Sequence, residues 1–400
     1  MADQPLYLPP ILEPADVADF ITSLGLPLPT RTEPLSVTAA FHRIYLIHFP
    51  ASCANVLAPA KPDTDGGEIT LVLRLAGPHL PRIKTENEVG VMRWVRENTA
   101  VPVPAVIRWG SDPDNLMGCE FTLLERVKGK SADKLIWGMG EEAKKRLVGQ
   151  VVEFLEEMRA ASERAGWGHV GGLKVDRETG EVVPGPVVDE WFWMDPKVQA
   201  CWVGESVESL NPVEKPFAGW AELLGASMEK YVYMIERHEE LAWMRDLVPR
   251  LEAYRAWLAT HPEEMETKLV LAHRDLHLAN VMAEEDGTVT GILDWEFGGV
   301  VPGPRWDPPN AFLYPWGEDG GAAKRERETM RGWAREMCQE RGIGLEVVNG
   351  VPYKGKQETV QRVGNFTRAI CEVCPWGEKE KDKAVGWRVS LEEELVKLGL

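Results

Sequence analysis

The run His273-Arg274-Asp275-Leu276-His277-Leu278-Ala279-Asn280, followed shortly by Asp294-Trp295-Glu296, limits more than any other feature what this chain can fold into. An Asp and an Asn with four residues between them, then a second Asp across a hairpin, form the set that positions a hydroxyl and Mg-ATP in phosphoryl transfer. Lys268 to His273 reads as a buried strand delivering the loop. Val281-Met282 and Val289 to Leu293 read as short paired strands joined at Asp286-Gly287, a dipeptide that favours a tight turn. Asp294 therefore leaves the hairpin next to Asn280. Two oxygen donors placed this way suit Mg2+, a hard cation that fills its remaining positions with water and phosphate oxygens, and Asp275 is left facing the hydroxyl. A lone His-Arg-Asp is more often a turn with a salt-bridged arginine, and a lone Asp-Trp a strand end. Their joint occurrence at this spacing, with strands on the proper sides, favours a kinase.

These residues also carry a family resemblance. His273 to Asn280 and Ile292-Leu293-Asp294-Trp295-Glu296 resemble the H-x-D-L-H-x-x-N and I-D-W-E stretches of the aminoglycoside phosphotransferase and choline kinase-like superfamily. Phe297 to Pro302, with Arg305-Trp306-Asp307, is similar to its large fungal branch. The resemblance runs from about residue 35 to 315, with its firm motifs in the second half. It implies an α+β, two-lobed protein kinase-like fold: a small β-rich ATP-binding lobe over residues 1–126 and a larger, mainly helical catalytic and substrate-binding lobe over 127–400. Similarity to kinase folds also implies that Asp307 braces the catalytic loop.

In the first half, Glu68 to Leu75 alternates before its apolar end and reads as a strand carrying Arg74. Arg82 to Asn98 places Val89, Met92 and Val95 on one face of an amphipathic helix with Glu88 near its start. A strand cation paired with a helix carboxylate is how kinases hold the α- and β-phosphates, which makes Arg74 and Glu88 the nucleotide-binding candidates. The family usually has Lys at this strand position, and a guanidinium is not a like-for-like replacement. Ala105 to Trp109 and Cys119 to Leu124 read as further strands. The stretch after them resembles an interlobe hinge, where the backbones of Glu125 and Val127 meet adenine. No glycine-rich loop precedes the strand Ile44 to Phe49. Ser36, Thr38 or His42 are the candidate phosphate donors there, against the plainer reading of a β-turn.

Four hundred residues exceed a usual single core, and 44% hydrophobic content suffices to fill two lobes. Neither a leader-like N-terminus nor an apolar run of membrane-spanning length is seen, so the expectation is a cytoplasmic protein with no membrane partner. Six scattered cysteines suit a reducing compartment, and the Cys371/Cys374 pair lacks the further ligands of a zinc site. A formal charge of −18 argues against nucleic acid and, among small substrates, for neutral or cationic ones, with Asp189-Glu190 and Glu318-Asp319 as candidate carboxylates. Glu141 to Arg164 reads as a long core helix. Gly166 to Pro216, with Trp191, Trp193 and Trp202, reads as an irregular insertion whose tryptophans pack or stack on substrate. No A-P-E follows Asp294, so a protein kinase is not indicated. The reading is an ATP- and Mg2+-dependent phosphotransferase acting on a hydroxyl of a small molecule such as an amino sugar or amino alcohol. Asp275 is its base and Asn280 and Asp294 its metal ligands. The rival is a catalytically weak nucleotide-binding pseudokinase, supported by Arg74, the missing glycine loop and Ala279 where the family often has Gly.

Overall fold

The structure, a computed structural model, describes residues 8–35, 41–62, 67–188, 193, 196–210, 215–307 and 321–400. Its small lobe begins with α1 (Pro14–Ser23), whose Val17, Phe20 and Ile21 recur at helical spacing and are buried. Strands β1 (Arg31–Pro34), β2 (His42–Phe49) and β3 (Ile69–Ala76) follow, then α2 (Ile83–Asn98), β4 (Val106–Gly110) and β5 (Phe121–Glu125). They form one antiparallel sheet in the order β1-β2-β3-β5-β4. In β3, side-chain alternation sends Ile69, Leu71, Leu73 and Leu75 into the core under α1, shared with Ile47 and Phe49 of β2. Arg74 must then lie on the opposite face, in the middle strand of the sheet, paired with Ile44 on one side and Thr122 on the other.

The larger lobe starts with β6 (Lys130–Ser131), α3 (Ala132–Leu135) and α4 (Glu141–Ala165), which ends on Gly166 in the left-handed conformation suited to a helix stop. Leu147, Val151, Leu155 and Met158 of α4 face the core as their spacing predicts. Residues 166–216 are less irregular than their composition suggests. They hold a hairpin of β7 (Gly172–Val175) and β8 (Val182–Gly185), which packs on α2, and two short helices, α5 (Pro196–Cys201) and α6 (Val207–Leu210). Trp193 and Trp202 are buried packing residues, whereas Trp191 and the acidic pairs 189–190 and 318–319 lie outside the described residues.

Helices α7 (Trp220–Arg237) and α8 (Val248–Thr260) precede the catalytic strands β9 (Leu269–Ala272), β10 (Val281–Ala283), β11 (Val289–Ile292) and β12 (Gly299–Pro302). Strand β10 pairs with β11 and β6, and β9 with β12. Last come α9 (Gly321–Arg341), α10 (Glu346–Asn349), α11 (Gln357–Val373) and α12 (Glu378–Lys397). One core joins α2, α4, α9 and the catalytic strands, and another joins α7, α8, α11 and α12. Cys371 lies in α11 and Cys374 just beyond it, both thiols pushed up by burial, Cys374 to about 11. No helix among the described residues is long and apolar enough to cross a membrane.

The β10–β11 turn is locked to α4. Gly287 has φ +85°, and a Cβ there would run into the Ala143 carbonyl. Gln150 of α4 spans the turn, donating to the Gly287 carbonyl (2.9 Å) and accepting from the Val289 amide (3.1 Å). We expect Gly287→Ala to cost about 2–4 kcal/mol in urea unfolding, through left-handed strain and overpacking. Gly225→Ala in α7, where an added Cβ meets nothing within 4 Å, should instead be neutral or stabilise by up to about 1 kcal/mol. Equal effects of the two changes would refute the lock.

Candidate active site

Strand β9 delivers His273 into the core, where its ring lies 4.4 Å from that of Trp295. Burial holds the imidazole below its usual pKa despite the Leu293 carbonyl and Asp275 nearby, so the ring is neutral. With Nε2 donating to the Leu293 carbonyl at 2.8 Å, Nδ1 is left to accept from the Asp275 amide at 3.3 Å. The histidine thereby pins the catalytic loop to the segment entering Asp294. Arg274 (φ +72°) and Asp294 (φ +66°) both sit in the left-handed region, an uncommon conformation for such residues that marks a constrained site.

The Asp275 side chain is 47% exposed, open to a substrate. Asn280 Nδ2 donates to the Asp275 carbonyl (2.9 Å) and approaches its Oδ2 (3.3 Å), which leaves Oδ1 as the asparagine's acceptor. The Leu293 amide bonds the Asn280 carbonyl at 2.8 Å, so Asn280 and Asp294 become neighbours, as the hairpin pattern predicts. An amide oxygen and a carboxylate form a donor set fit for Mg2+. His277 stands beside them, with Nε2 3.6 Å from Asp275 Oδ1. Arg274 Nη1 donates to the Arg305 carbonyl (2.6 Å), which ties the loop to the segment that carries Asp307.

Above the loop lies a buried charge cluster. Arg74, 8% exposed, bonds Glu88 Oε1 through Nη1 and Asp294 Oδ1 through Nη2 (2.7 Å). Burial works against its charge, yet Glu88, Asp294 and Glu296 together hold its pKa above the ordinary value. Behind it, Lys84 Nζ, 2% exposed as a residue, is 3.1 Å from Glu296 Oε2 and 4.8 Å from the Phe41 ring centre. His42, a candidate phosphate donor, is buried here and kept neutral by burial and by Arg74 and Lys84, with Nδ1 3.3 Å from Arg74 Nη2. Burial pushes Glu296 up to about 7, Lys84 and Arg74 opposing. Two cations thus meet three carboxylates, and the excess is relieved by a proton on Glu296.

The junction of the lobes is built as follows. The Glu125 amide donates to the Ala105 carbonyl at 2.8 Å, so that amide is used within the small lobe and a base can be met there by the carbonyl alone. Val127 lies past the strand, its side chain packed against Gly291 so closely that a Cβ there would meet Cγ1 at 2.6 Å. Ser36 and Thr38 lie outside the described residues.

The structure therefore brings Asp275, Asn280, Asp294, Arg74 and Glu88 together. It adds Lys84, Glu296, His277 and Asn87, which sequence reasoning gave no role. Asn87 donates to the Glu296 and Gly298 carbonyls (3.0 and 2.8 Å) and accepts from the Leu173 amide (2.9 Å). The available signal was on α2: Lys84 and Glu88 are four residues apart on the side that also carries Val91 and Val95.

Residues 62–323 match the model of a family described as the phosphotransferase enzyme family, APH. The fold is similar to that of APH(2")-IIa in its ternary complex with streptomycin and ATP (10% identity, 97% of each chain covered, TM-score 0.50). A thermostable mutant of APH(4)-Ia, in a ternary complex with ADP and hygromycin B, gives 15% identity over 95% of this chain and 98% of that one, with TM-score 0.48. The clavilactone A biosynthesis cluster protein Y of Ampulloclitocybe clavipes is 22% identical over 243 residues, 55% of this chain and 50% of that protein. The match thus spans half the length of that relative.

Glu296 gives a pH signature. Its folded pKa of about 7 lies above the ordinary 4.5, so the unfolded chain ionises first and stability falls as pH rises between the two values. In metal-free buffer, Glu296→Gln deletes this dependence, at the cost of the anion beside Lys84. Its destabilisation should therefore be largest near about pH 5 and shrink toward about pH 8 in thermal melts. A loss that grows with pH would mean that Glu296 is an ordinary ionised partner of Lys84.

Proposed function

The chain belongs to the phosphotransferase enzyme family, and we propose that it transfers the γ-phosphate of ATP, with Mg2+, to a hydroxyl of a small molecule. The observation carrying this reading is the meeting of Asp275, Asn280 and Asp294 at one end of the β10–β11 hairpin, beside the Arg74–Glu88 pair. Asp275 accepts the hydroxyl proton as the acceptor oxygen bonds to the γ-phosphorus. The bond from that phosphorus to the bridging oxygen breaks, and ADP leaves. Asn280 Oδ1 and the Asp294 carboxylate would hold Mg2+, which supplies counter-charge to the phosphates. That counter-charge is required, because two buried cations already face three carboxylates. Arg74, aimed by Glu88, neutralises the α- and β-phosphates, and the Glu125 carbonyl with the Val127 backbone meets adenine.

Taken by itself, the −18 charge would suit an amino sugar or amino alcohol as acceptor, but the four carboxylates named for it lie outside the described residues and the choice falls to the wall of the acceptor site. A cytoplasmic setting fits six cysteines of which none is in a disulfide. The pseudokinase reading gains one structural support beside its sequence features: the Arg74 fork is already engaged by Glu88 and Asp294.

Two measurements separate these readings. Asp275→Asn should leave the calorimetric Kd for Mg-ATP within about threefold and lower ADP release with a productive hydroxyl compound by at least about a hundredfold. An equal loss of nucleotide affinity would remove Asp275 from the base role. At Arg74, the alanine variant strands Glu88, 1% exposed, and should cost about 3–5 kcal/mol of stability along with turnover. Arg74→Lys restores a point charge and should keep turnover within about tenfold of the parent. A folded Arg74→Ala enzyme with parental kcat/KM would exclude Arg74 from the phosphate site.

A further inference from the structure

A partly open cavity lies between α7, α11 and the Phe297–Pro302 segment that follows Asp294-Trp295-Glu296. Arg274, the residue before Asp275, forms part of its wall, so the cavity adjoins the catalytic loop. Most of the wall is apolar or aromatic, including Val170, Trp220, Leu224 and Phe297. Its charged groups, among the described residues, are Arg274, Arg305 and Arg368, with no carboxylate. That is against the grain of a chain whose Asp and Glu outnumber Lys and Arg by 63 to 45. Three of the neutral polar groups are tied to each other: Trp220 Nε1 donates to Gln361 Oε1 (3.1 Å) and Gln361 Nε2 to Asn365 Oδ1 (2.8 Å). Glu372, one turn along α11 and off the wall, holds Arg368 Nε at 2.7 Å and fixes the guanidinium's position.

Gly364 points the same way. It lies within α11, where glycine costs about 1 kcal/mol relative to alanine. An added Cβ would meet only Leu224 Cδ2, at 3.6 Å, an ordinary contact. Packing therefore does not demand glycine here, and what the missing side chain leaves is room in the cavity.

Resting on the phosphotransferase reading, we propose that this cavity is the acceptor site and that its substrate class is an apolar hydroxy acid. The apolar body lies against Trp220, Leu224 and Phe297, the carboxylate meets the arginines, and the hydroxyl reaches Asp275. A polycationic amino sugar would face three like charges and a wall with few acceptors, and would leave its ammonium groups desolvated.

The test uses the full chain and three matched probes: ω-hydroxylaurate, its methyl ester and ω-aminolauryl alcohol. Binding is read by calorimetry, and phosphoryl transfer by ADP release with Mg-ATP. The carboxylate should bind at least about tenfold tighter than the ester or the amine. Arg368→Gln should erase that preference while ester binding stays within about threefold of the parent. Gly364→Leu, which keeps α11 and fills the cavity, should weaken all three probes. Equal binding of acid and ester, tighter binding of the amine, or no binding of the acid overturns the proposal. Arg368-dependent binding of the acid without ADP release above background refutes phosphotransfer to it and leaves the binding site standing. Phosphorylation of the amino alcohol that ignores Arg368→Gln refutes the hydroxy-acid class and leaves the phosphotransferase reading intact.

Discussion

The Arg74 guanidinium is the interaction on which the rest of the site depends. It projects from the middle strand of the small-lobe sheet and reaches a helix carboxylate fourteen residues on, Glu88, and one 220 residues on, Asp294. A lysine ammonium is a compact point charge, whereas the planar fork presents two donors fixed in different directions. Arginine therefore joins α2 and the Asp294 segment in one group, without ligand. Such buried charges are costly to desolvate and hold only as a set, since removing one member leaves the others buried without compensation. The surplus carboxylate is tolerated because Glu296 takes up a proton near neutrality.

Helix α2 transmits that constraint. Its first turns are buried on more than the apolar face: Lys84, Thr85, Asn87 and Glu88 are all inside. Each of the three longer ones meets a different part of the catalytic segment, Glu88 through Arg74 to Asp294, Lys84 to the Glu296 side chain, and Asn87 to the Glu296 and Gly298 carbonyls. Gly90 adds a close approach, where a Cβ would lie 2.6 Å from the Leu173 backbone of β7. A shift of α2 away from the catalytic segment would break charged and amide contacts at once. The helix and the Asp294 segment are accordingly expected to move together.

What was legible in the sequence follows from how local each feature is. The β10–β11 hairpin, its Asp286-Gly287 turn and the placing of Asn280 beside Asp294 are set within about fifteen residues of chain, and period-two alternation alone puts Arg74 opposite the apolar face of β3. The hairpin of β7 and β8 was hidden because Lys174, Asp176, Arg177, Glu178 and Glu181 give its tip a polar surface, set in a Gly- and Pro-rich stretch. The second tier of the site was hidden for a different reason. No sequence pattern links Lys84, His42 and Glu296, and only the fold shows that three separate segments bring His42 and Lys84 to 3.6 and 3.1 Å from the Glu296 carboxylate. A lysine among the buried positions of α2 looks in sequence like one turned to solvent. The Glu125 amide was likewise committed to Ala105 by a strand end that composition cannot fix.

Net charge and the charge of the cavity wall point in different directions. A formal −18 is a property of the whole surface, felt at distances where salt screens it within about 8–10 Å, and it governs approach more than contact. The charged groups of the mostly apolar wall beside Arg274 are three arginines drawn from the catalytic loop, the segment after β12 and α11, the last of them held by Glu372 from off the wall. Inside a partly desolvated cavity, that local set outweighs distant surface carboxylates, because the effective dielectric is lower and screening ions are kept out. An anionic acceptor would then meet a weak repulsion on the way in and a strong attraction at the wall. Added salt should ease the first through faster association while weakening the second less, since the bound carboxylate and its arginines sit where salt penetrates poorly.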